Sequence, residues 1–346
     1  MAARSEPDKM KESALDVSRI GEFELIARLT RGLPPGKGVV LGVGDDAAAL
    51  EIAPDRLLLA TCDIQVEGVH FVIGAISPAQ IGRRAAAVNL SDIAAMGGVP
   101  TFALASLAVP RTAPVELLDG VYEGLVAALR EAGAELVGGN TSHLPERMAL
   151  DVFLLGEVER ASLLTRCGAR DGDAICVTGS LGGSAAGLRL VLDSGLACDA
   201  RMREEALERH FAPVPRLREG RFLGLSGLAT ACIDVSDGLI GDVEHLAEAS
   251  GLAAFIDADA VPIAPCARAV GAATGGDPLS LALKGGEDYE LAFTAPRARA
   301  SELAAAVARE TGTPVAIVGE MRAGEAKVHV TQDGREIALR GGFTHF

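Results

Sequence analysis

The sequence lacks any apolar run long enough to span a bilayer: the longest, such as Phe102 to Val109, reach about half of the roughly 18 residues a membrane span requires. No secretory leader is expected either, because the first residues interleave Arg4, Glu6, Asp8, Lys9, Lys11 and Glu12 with no apolar stretch between them. A cytoplasmic protein without a membrane partner is expected. Positive charge is scarce as well, with a formal net charge of −15. Nucleic-acid binding needs Lys and Arg to displace condensed counterions, so nucleic acid is excluded as a partner, and an anionic small molecule requires a metal to bridge it. The six cysteines (Cys62, Cys167, Cys176, Cys198, Cys232, Cys266) form no C-x-x-C pair, and none has a His at zinc-ligand spacing. Buried, reduced thiols are expected. There is no G-x-x-x-x-G-K-[ST] loop, no H-R-D with D-F-G, and no G-x-S-x-G elbow, which removes the common nucleotide-kinase, protein-kinase and hydrolase frameworks.

What is present is length and glycine. The 346 residues fit two domains. The 41 glycines fall in clusters rather than at a fixed period, as tight functional loops require. Residues 1–20 read as a disordered tail. Residues 21–160 read as a first domain and residues 161–346 as a second. Phe23, Ile26, Ala27 and Leu29 lie at helical spacing. From Val39 a strand, the loop Gly42 to Asp46, a strand through Ile52, a Pro54-Asp55 turn and a strand Leu57 to Ala60 predict a hairpin opening. Ser77-Pro78 opens a helix running to Met96 and closed by Gly97-Gly98. A strand Phe102 to Val109, a helix Val115 to Glu131 and strands 134–138 and 148–157 follow. The second half reads as strands 174–177, 229–233, 253–256 and 289–294, helices from Ser184, around Leu207 and Leu217, and over 239–249 and 301–310, and a final hairpin turning at Asp333-Gly334. The expected class is α/β (mixed α+β), each domain a mixed sheet with helices packed on it.

Several loops could carry chemistry. Gly42 to Ala47 has the spacing of a dinucleotide fingerprint. That site needs a helix N-terminus facing the pyrophosphate, and here strand-like sequence follows. Asp45 and Asp46 suit magnesium, a hard cation that takes oxygen ligands, although a β-turn rich in Gly and Asp accounts for them equally. Thr61-Cys62-Asp63 follows a strand end and leads to His70, which either contacts a phosphate or has its ring satisfied by backbone. Asn89, Ser91 and Asp92 are polar residues in an otherwise apolar helix, where a buried carboxylate needs a partner. Asp234 and Asp237 flank Ser236 at a strand end, with Asp237 as a plain helix cap being the alternative. Gly179 to Ser184 before a helix offers N–H groups to a phosphate or merely allows close packing.

The ordered series GVGDDAAAL, TCDIQVEGVHF, NLSDIAAMGG, VGGNTS, LLTRCGARDGD, IDVSDGL and KGGEDYEL resembles the thiamine-monophosphate kinase family, of the aminoimidazole ribonucleotide synthetase-like superfamily, from Gly21 to Phe346. The resemblance implies that superfamily's two-domain fold and an ATP-dependent transfer of a phosphoryl group onto the phosphate of thiamine monophosphate, with several Mg2+ ions and a homodimer. By motif it implies Asp46, Thr61, Asp63, Asp92, Asp234 and Asp237 as metal ligands, Gly139, Asn140, Arg166 and Ser236 as ATP contacts, and His70, Glu287 and Phe343 as substrate contacts. Asn140 stands where the family more often has a metal-binding Asp, so its magnesium affinity should be weakened. Cys62 replaces a usual hydroxyl, and Phe343 can stack on a ring but not donate a hydrogen bond. Two alternatives stand beside this reading: another ATP-using member of the superfamily, of the purine-pathway synthetase type, and a nucleotide-binding homologue with little or no turnover.

Overall fold

A computed structural model describes residues 39–41 and 44–337. The tail, the Phe23 to Leu29 helix and Phe343 lie outside the described residues.

The chain opens as a meander. β1 (Val39–Leu41), β2 (Ala48–Ala53) and β3 (Arg56–Val66) pair antiparallel in sequence order, as the turn residues predicted. α1 (Pro78–Ala95) begins where Ser77 caps it: the Ser77 side chain accepts from the Gln80 backbone N–H while Gln80 reciprocates, with proline at the first helical position. β4 (Val99–Val109), α2 (Val115–Glu131), β5 (Glu135–His143) and β6 (Ala149–Glu159) complete a six-stranded sheet in the order β1-β2-β3-β6-β4-β5. Only the β4–β5 pair is parallel, joined across α2. Leu57 and Leu59 of β3, Ile81, Leu90 and Ile93 of α1, Leu125 and Leu129 of α2, and Leu150, Val152 and Leu154 of β6 bury the inner face beneath the two helices.

Two strands run further than their local sequence indicated. β3 continues past Ala60 to Val66 because β6 pairs with it along its whole length, from Arg56 opposite Glu159 to Val66 opposite Ala149. Thr61, Cys62 and Asp63 therefore lie within a strand and not in a loop after one. β5 likewise runs through Gly138, Gly139 and Asn140 to His143, held by β4. Period-2 side-chain direction then fixes orientation. Thr61, Asp63 and Gln65 point with Leu57 and Leu59 towards α1, whereas Cys62 points outward.

The second half is a seven-stranded sheet in the order β13-β12-β9-β11-β7-β10-β8. Its strands are β7 (Asp173–Thr178), β8 (Ala231–Asp234), β9 (Ala253–Asp257), β10 (Leu291–Pro296), β11 (Val315–Arg322), β12 (Val328–Gln332) and β13 (Arg335–Ile337). Its helices are α3 (Gly183–Leu192), α4 (Ala200–Phe211), α5 (Leu217–Ser226), α6 (Leu239–Ser250), α7 (Pro265–Thr274), α8 (Pro278–Lys284) and α9 (Arg297–Thr311). β7 is buried at all six positions because both faces are covered. Ile175 and Val177 pack with Leu246 of α6, and Ala174 and Cys176 with Leu303 and Val307 of α9. Ala94 and Ala95, at the end of α1, join the second of these clusters, so the two sheets share buried surface there. The Asp333-Gly334 turn has φ of 49° and 70°, the left-handed pair that a two-residue hairpin requires.

α7 and α8 went unpredicted. They are short and Pro-initiated, and only their packing in the second half distinguishes them from loop. The cysteine expectation holds for Cys176, Cys232 and Cys266, which are buried. Cys62 and Cys167 are exposed and Cys198 is intermediate, and all six are free thiols. No helix among the described residues is long and apolar enough to cross a membrane.

Candidate active site

Three carboxylates from three distant elements meet. Asp46 from the loop after β1, Asp92 from α1 and Asp234 from the end of β8 bring carboxylate oxygens within 4.8 Å of one another. Asp234 is the last residue of β8, so the loop expected to begin at Asp234 starts one position later. The helix explains how both halves reach one point: Ser91 and Asp92 are about 100° apart around α1. The Ser91 hydroxyl donates to Asp234 Oδ2 at 2.6 Å, towards the second half, while Asp92 Oδ2 accepts from the Thr61 hydroxyl at 2.5 Å, towards the first. Arg166 sits over the loop at the other side. Its Nη2 and Nε donate to Asp46 Oδ1 at 2.5 and 3.2 Å, and its backbone N–H donates to Asp45 Oδ2 at 2.9 Å.

Burial makes this cluster electrostatically expensive. It pushes the Asp46 carboxyl up to about 8, against the opposing pull of Arg166 and with added repulsion from Asp234 and Asp45. Asp234 rises to about 6, mainly by burial, although Ser91 and Arg166 oppose the rise. Asp92 lies well above the usual carboxylate range from burial and from Asp63, Asp234 and Asp46. Asp46 Oδ2 is buried with no hydrogen-bond partner. A buried acceptor in that condition costs about 1–3 kcal/mol. An all-oxygen set of carboxylates and hydroxyls with an unmet acceptor is what a hard divalent cation takes. The residues fit magnesium.

The other expected residues are arranged around this centre. Asp63 shares the inward face of β3 with Thr61 and raises the carboxyl of Asp92. Asp237 is not the cap of α6: Gly238 holds that position, with no side-chain cap bond, and the Asp237 N–H donates to Asp242 Oδ2 at 3.2 Å. His70 Nδ1 accepts from the Val66 backbone N–H at 3.0 Å. The Ser236 carbonyl accepts from the Glu287 N–H at 2.7 Å, so the Ser236-Asp237 loop and the 284–289 loop lie against each other. Gly139 falls in the row of Asp63, across β6 and β4, roughly 14 Å away at the usual strand spacing. Asn140 pairs with exposed Ser106 and faces the outer side of the sheet, away from the three converged carboxylates of its own chain.

One loop is corrected. The N–H groups of Gly182 and Ser184 at the start of α3 are not free for a phosphate: they donate to the Asp288 carboxylate at 2.5 and 3.0 Å. Asp45 is similarly occupied by the backbone N–H groups of Asp46 and Arg166. Sequence reasoning missed Arg84 and Asp242, both buried, and the part-buried Asp288, all carriers of charge in or beside the motifs. The available signal for Arg84 was its spacing of seven from Ser91, which places both on one helix face.

Comparison with known proteins agrees with this geometry. Residues 44–158 match the model of the AIR synthase related protein, N-terminal domain, and residues 170–331 that of the C-terminal domain. The thiamine-monophosphate kinases of Salmonella typhimurium and Escherichia coli K12 are 36% and 37% identical, each over 94% of this chain and 98% of the relative. A solved structure described as AaThiL complexed with AMPPCP and TMP superposes with a TM-score of 0.84 at 34% identity, covering 97% of this chain and all of that one. The crystal structure of thiamine-monophosphate kinase from Stenotrophomonas maltophilia gives 0.74 at 34% identity, covering 90% and 95%. With both domain models matched and more than a third of residues identical over nearly the whole chain, this protein belongs to the thiamine-monophosphate kinase family of AIR synthase related proteins.

Proposed function

We propose that the chain transfers the terminal phosphoryl group of ATP directly to the phosphate of thiamine monophosphate, giving thiamine diphosphate, with magnesium held at the acidic cluster. ATP-dependent phosphorylation of thiamine monophosphate is the activity of the family to which it belongs. The observation that carries the magnesium assignment is the convergence of Asp46, Asp92 and Asp234 around a buried carboxylate oxygen with no partner. Asp63, Thr61 and Asp237 border the same centre and complete the ligand set.

Two polyanions must be brought into line, so positioning and charge neutralisation are the demands of the reaction. When bound, the metal supplies that neutralisation. The chain's own groups do the rest. Thr61 and Ser91 orient Asp92 and Asp234 through their hydroxyls, and Arg166 offers a permanent positive charge at the mouth of the Asp45-Asp46 loop. Arg166, Ser236, Gly139 and Asn140 are assigned to ATP, and His70, Glu287 and Phe343 to the acceptor. The acceptor phosphate is already ionised, so no general base is needed.

A homodimer is part of the reading. The outer face of the first sheet exposes Ile64, Phe102, Leu104, Val137 and Phe153, an apolar surface that a second copy would cover. Residues 21–160 then supply the dimerising half and 161–346 the half that completes the site. With ATP as donor, a cytoplasmic location is assigned. The test is ADP release with ATP, thiamine monophosphate and magnesium supplied together and each omitted in turn. Release that ignores thiamine monophosphate, or that persists unchanged in Asp46→Asn, overturns the proposal.

A further inference from the structure

Arg84 is the largest fully buried side chain of the described residues, 1% exposed, and its charge serves no contact of the metal cluster. Its guanidinium is divided among three elements. Nε donates to Gln65 Oε1 on β3 at 3.0 Å, Nη1 to the His210 carbonyl at the end of α4, and Nη2 to Glu287 Oε1. Glu287 is the one partly exposed member of this set, and its other carboxylate oxygen lies 3.6 Å from His210 Nδ1.

Glu287 also has a costly backbone. Its φ of 67° lies in the left-handed region that side-chain-bearing residues rarely adopt. Such a conformation persists only where surrounding contacts hold it. Three contacts hold it: the Glu287 N–H donates to the Ser236 C=O, Asp288 closes the start of α3, and Glu290 forms a bidentate pair with Arg216 at 2.6 and 2.5 Å. Every one of these fixes the loop's path. Among the described residues, Arg84 donates the hydrogen bond that sets the direction of the Glu287 carboxylate, with His210 Nδ1 farther off at 3.6 Å.

We infer that Arg84 is a positioning residue for thiamine monophosphate recognition, clamping the Glu287 carboxylate at a fixed place relative to the helix that carries Asp92. This rests on the assignment of Glu287 to the acceptor. Arg84 itself is enclosed and each of its three guanidinium nitrogens already donates a hydrogen bond, so it acts through Glu287 and not by touching substrate. Because Arg84 and Asp92 share α1, the acceptor's carboxylate anchor and the metal centre are held to one rigid rod.

The experiment is steady-state kinetics on Arg84→Gln, Arg84→Lys, Glu287→Gln and the double variant Arg84→Gln/Glu287→Gln, with unfolding followed by circular dichroism. Arg84→Gln should raise KM for thiamine monophosphate by about tenfold or more, leaving KM for ATP and the magnesium titration unchanged and kcat within a few-fold. Arg84→Lys should recover part of the loss, and the double variant should match Glu287→Gln alone. Where Arg84→Gln does not fold, Gln65→Met removes only the acceptor of Nε and should raise the same KM to a lesser degree.

If Glu287→Gln raises that KM while folded Arg84→Gln, or Gln65→Met in its place, does not, the positioning role falls and the Glu287 assignment stands. If Arg84→Gln raises it while Glu287→Gln does not, or if neither does, both fall. A double variant worse than Glu287→Gln by the full effect of Arg84→Gln would likewise overturn action through Glu287.

Discussion

Asp46 and Asp288 are both enclosed carboxylates whose acid forms are favoured by burial, to about 8 and about 7. They nonetheless do different work. Asp288 accepts two backbone N–H groups at the start of α3, and the helix it closes is its explanation. Asp46 lies beside two other acids with one oxygen unmet. Burial and a raised pKa therefore do not separate a structural carboxylate from a ligand carboxylate. Unused acceptor capacity does.

The largest effect that tests this contrast is on turnover. Asp46→Asn or Asp92→Asn should lower kcat at least about 10²-fold while the metal-free protein melts no earlier than wild type, since like-charge repulsion is relieved. Asp288→Ala should do the reverse, costing about 1–2 kcal/mol of stability in denaturant melts with the magnesium titration unchanged. A loss of metal affinity in Asp288→Ala, or unfolding of Asp46→Asn, breaks the comparison.

The next effect is on pH. Asp46 has a folded value raised from 3.8 to about 8, so the unfolded chain releases its proton first as pH rises. Its burial is tolerated at low pH and penalised progressively up to about 8. His210 works oppositely: burial and Arg84 lower it to about 3, so its contribution is lost as pH falls below its ordinary 6.5. Only above about 6.5 does the carboxylate effect stand alone. The thermal midpoint in chelator should fall between pH 6.5 and 8, and magnesium should restore more of it at pH 8 than at pH 6.5. A midpoint flat over that window removes the charge cost assigned to Asp46.

The smallest expected effect concerns Asn140, which faces away from its own chain's cluster. Asn140→Asp should lower the magnesium concentration for half activity by only two- to threefold, roughly 0.5 kcal/mol, and only where a second copy covers that face. Magnesium titrations above and below the dimer's dissociation concentration check this. An unchanged titration at both takes Asn140 out of metal binding.

The motif positions were legible before the fold because each rests on neighbours in sequence. Ser77-Pro78 announces α1, Asp333-Gly334 announces its hairpin, and Asn89, Ser91 and Asp92 stand out in an apolar helix. The ends of β3 and β5 were not legible, because β6 and β4, distant in sequence, hold them in register through Asp63 and Asn140. The glycine loop at 179–184 looked open to phosphate because nothing local reveals that Asp288 arrives there.

By itself the sequence determined the inventory: acidic loops, turn types, the helices α1 and α2, and a charge balance that requires metal for an anionic substrate. Tertiary structure decided the allocation. Which acids converge, which close a helix, and which charge clamps Glu287 depend on contacts such as Ser91 to Asp234, 143 residues apart. Side-chain periodicity is a short-range property of the backbone, whereas these pairings exist only after both sheets have buried their apolar faces against the helices between them.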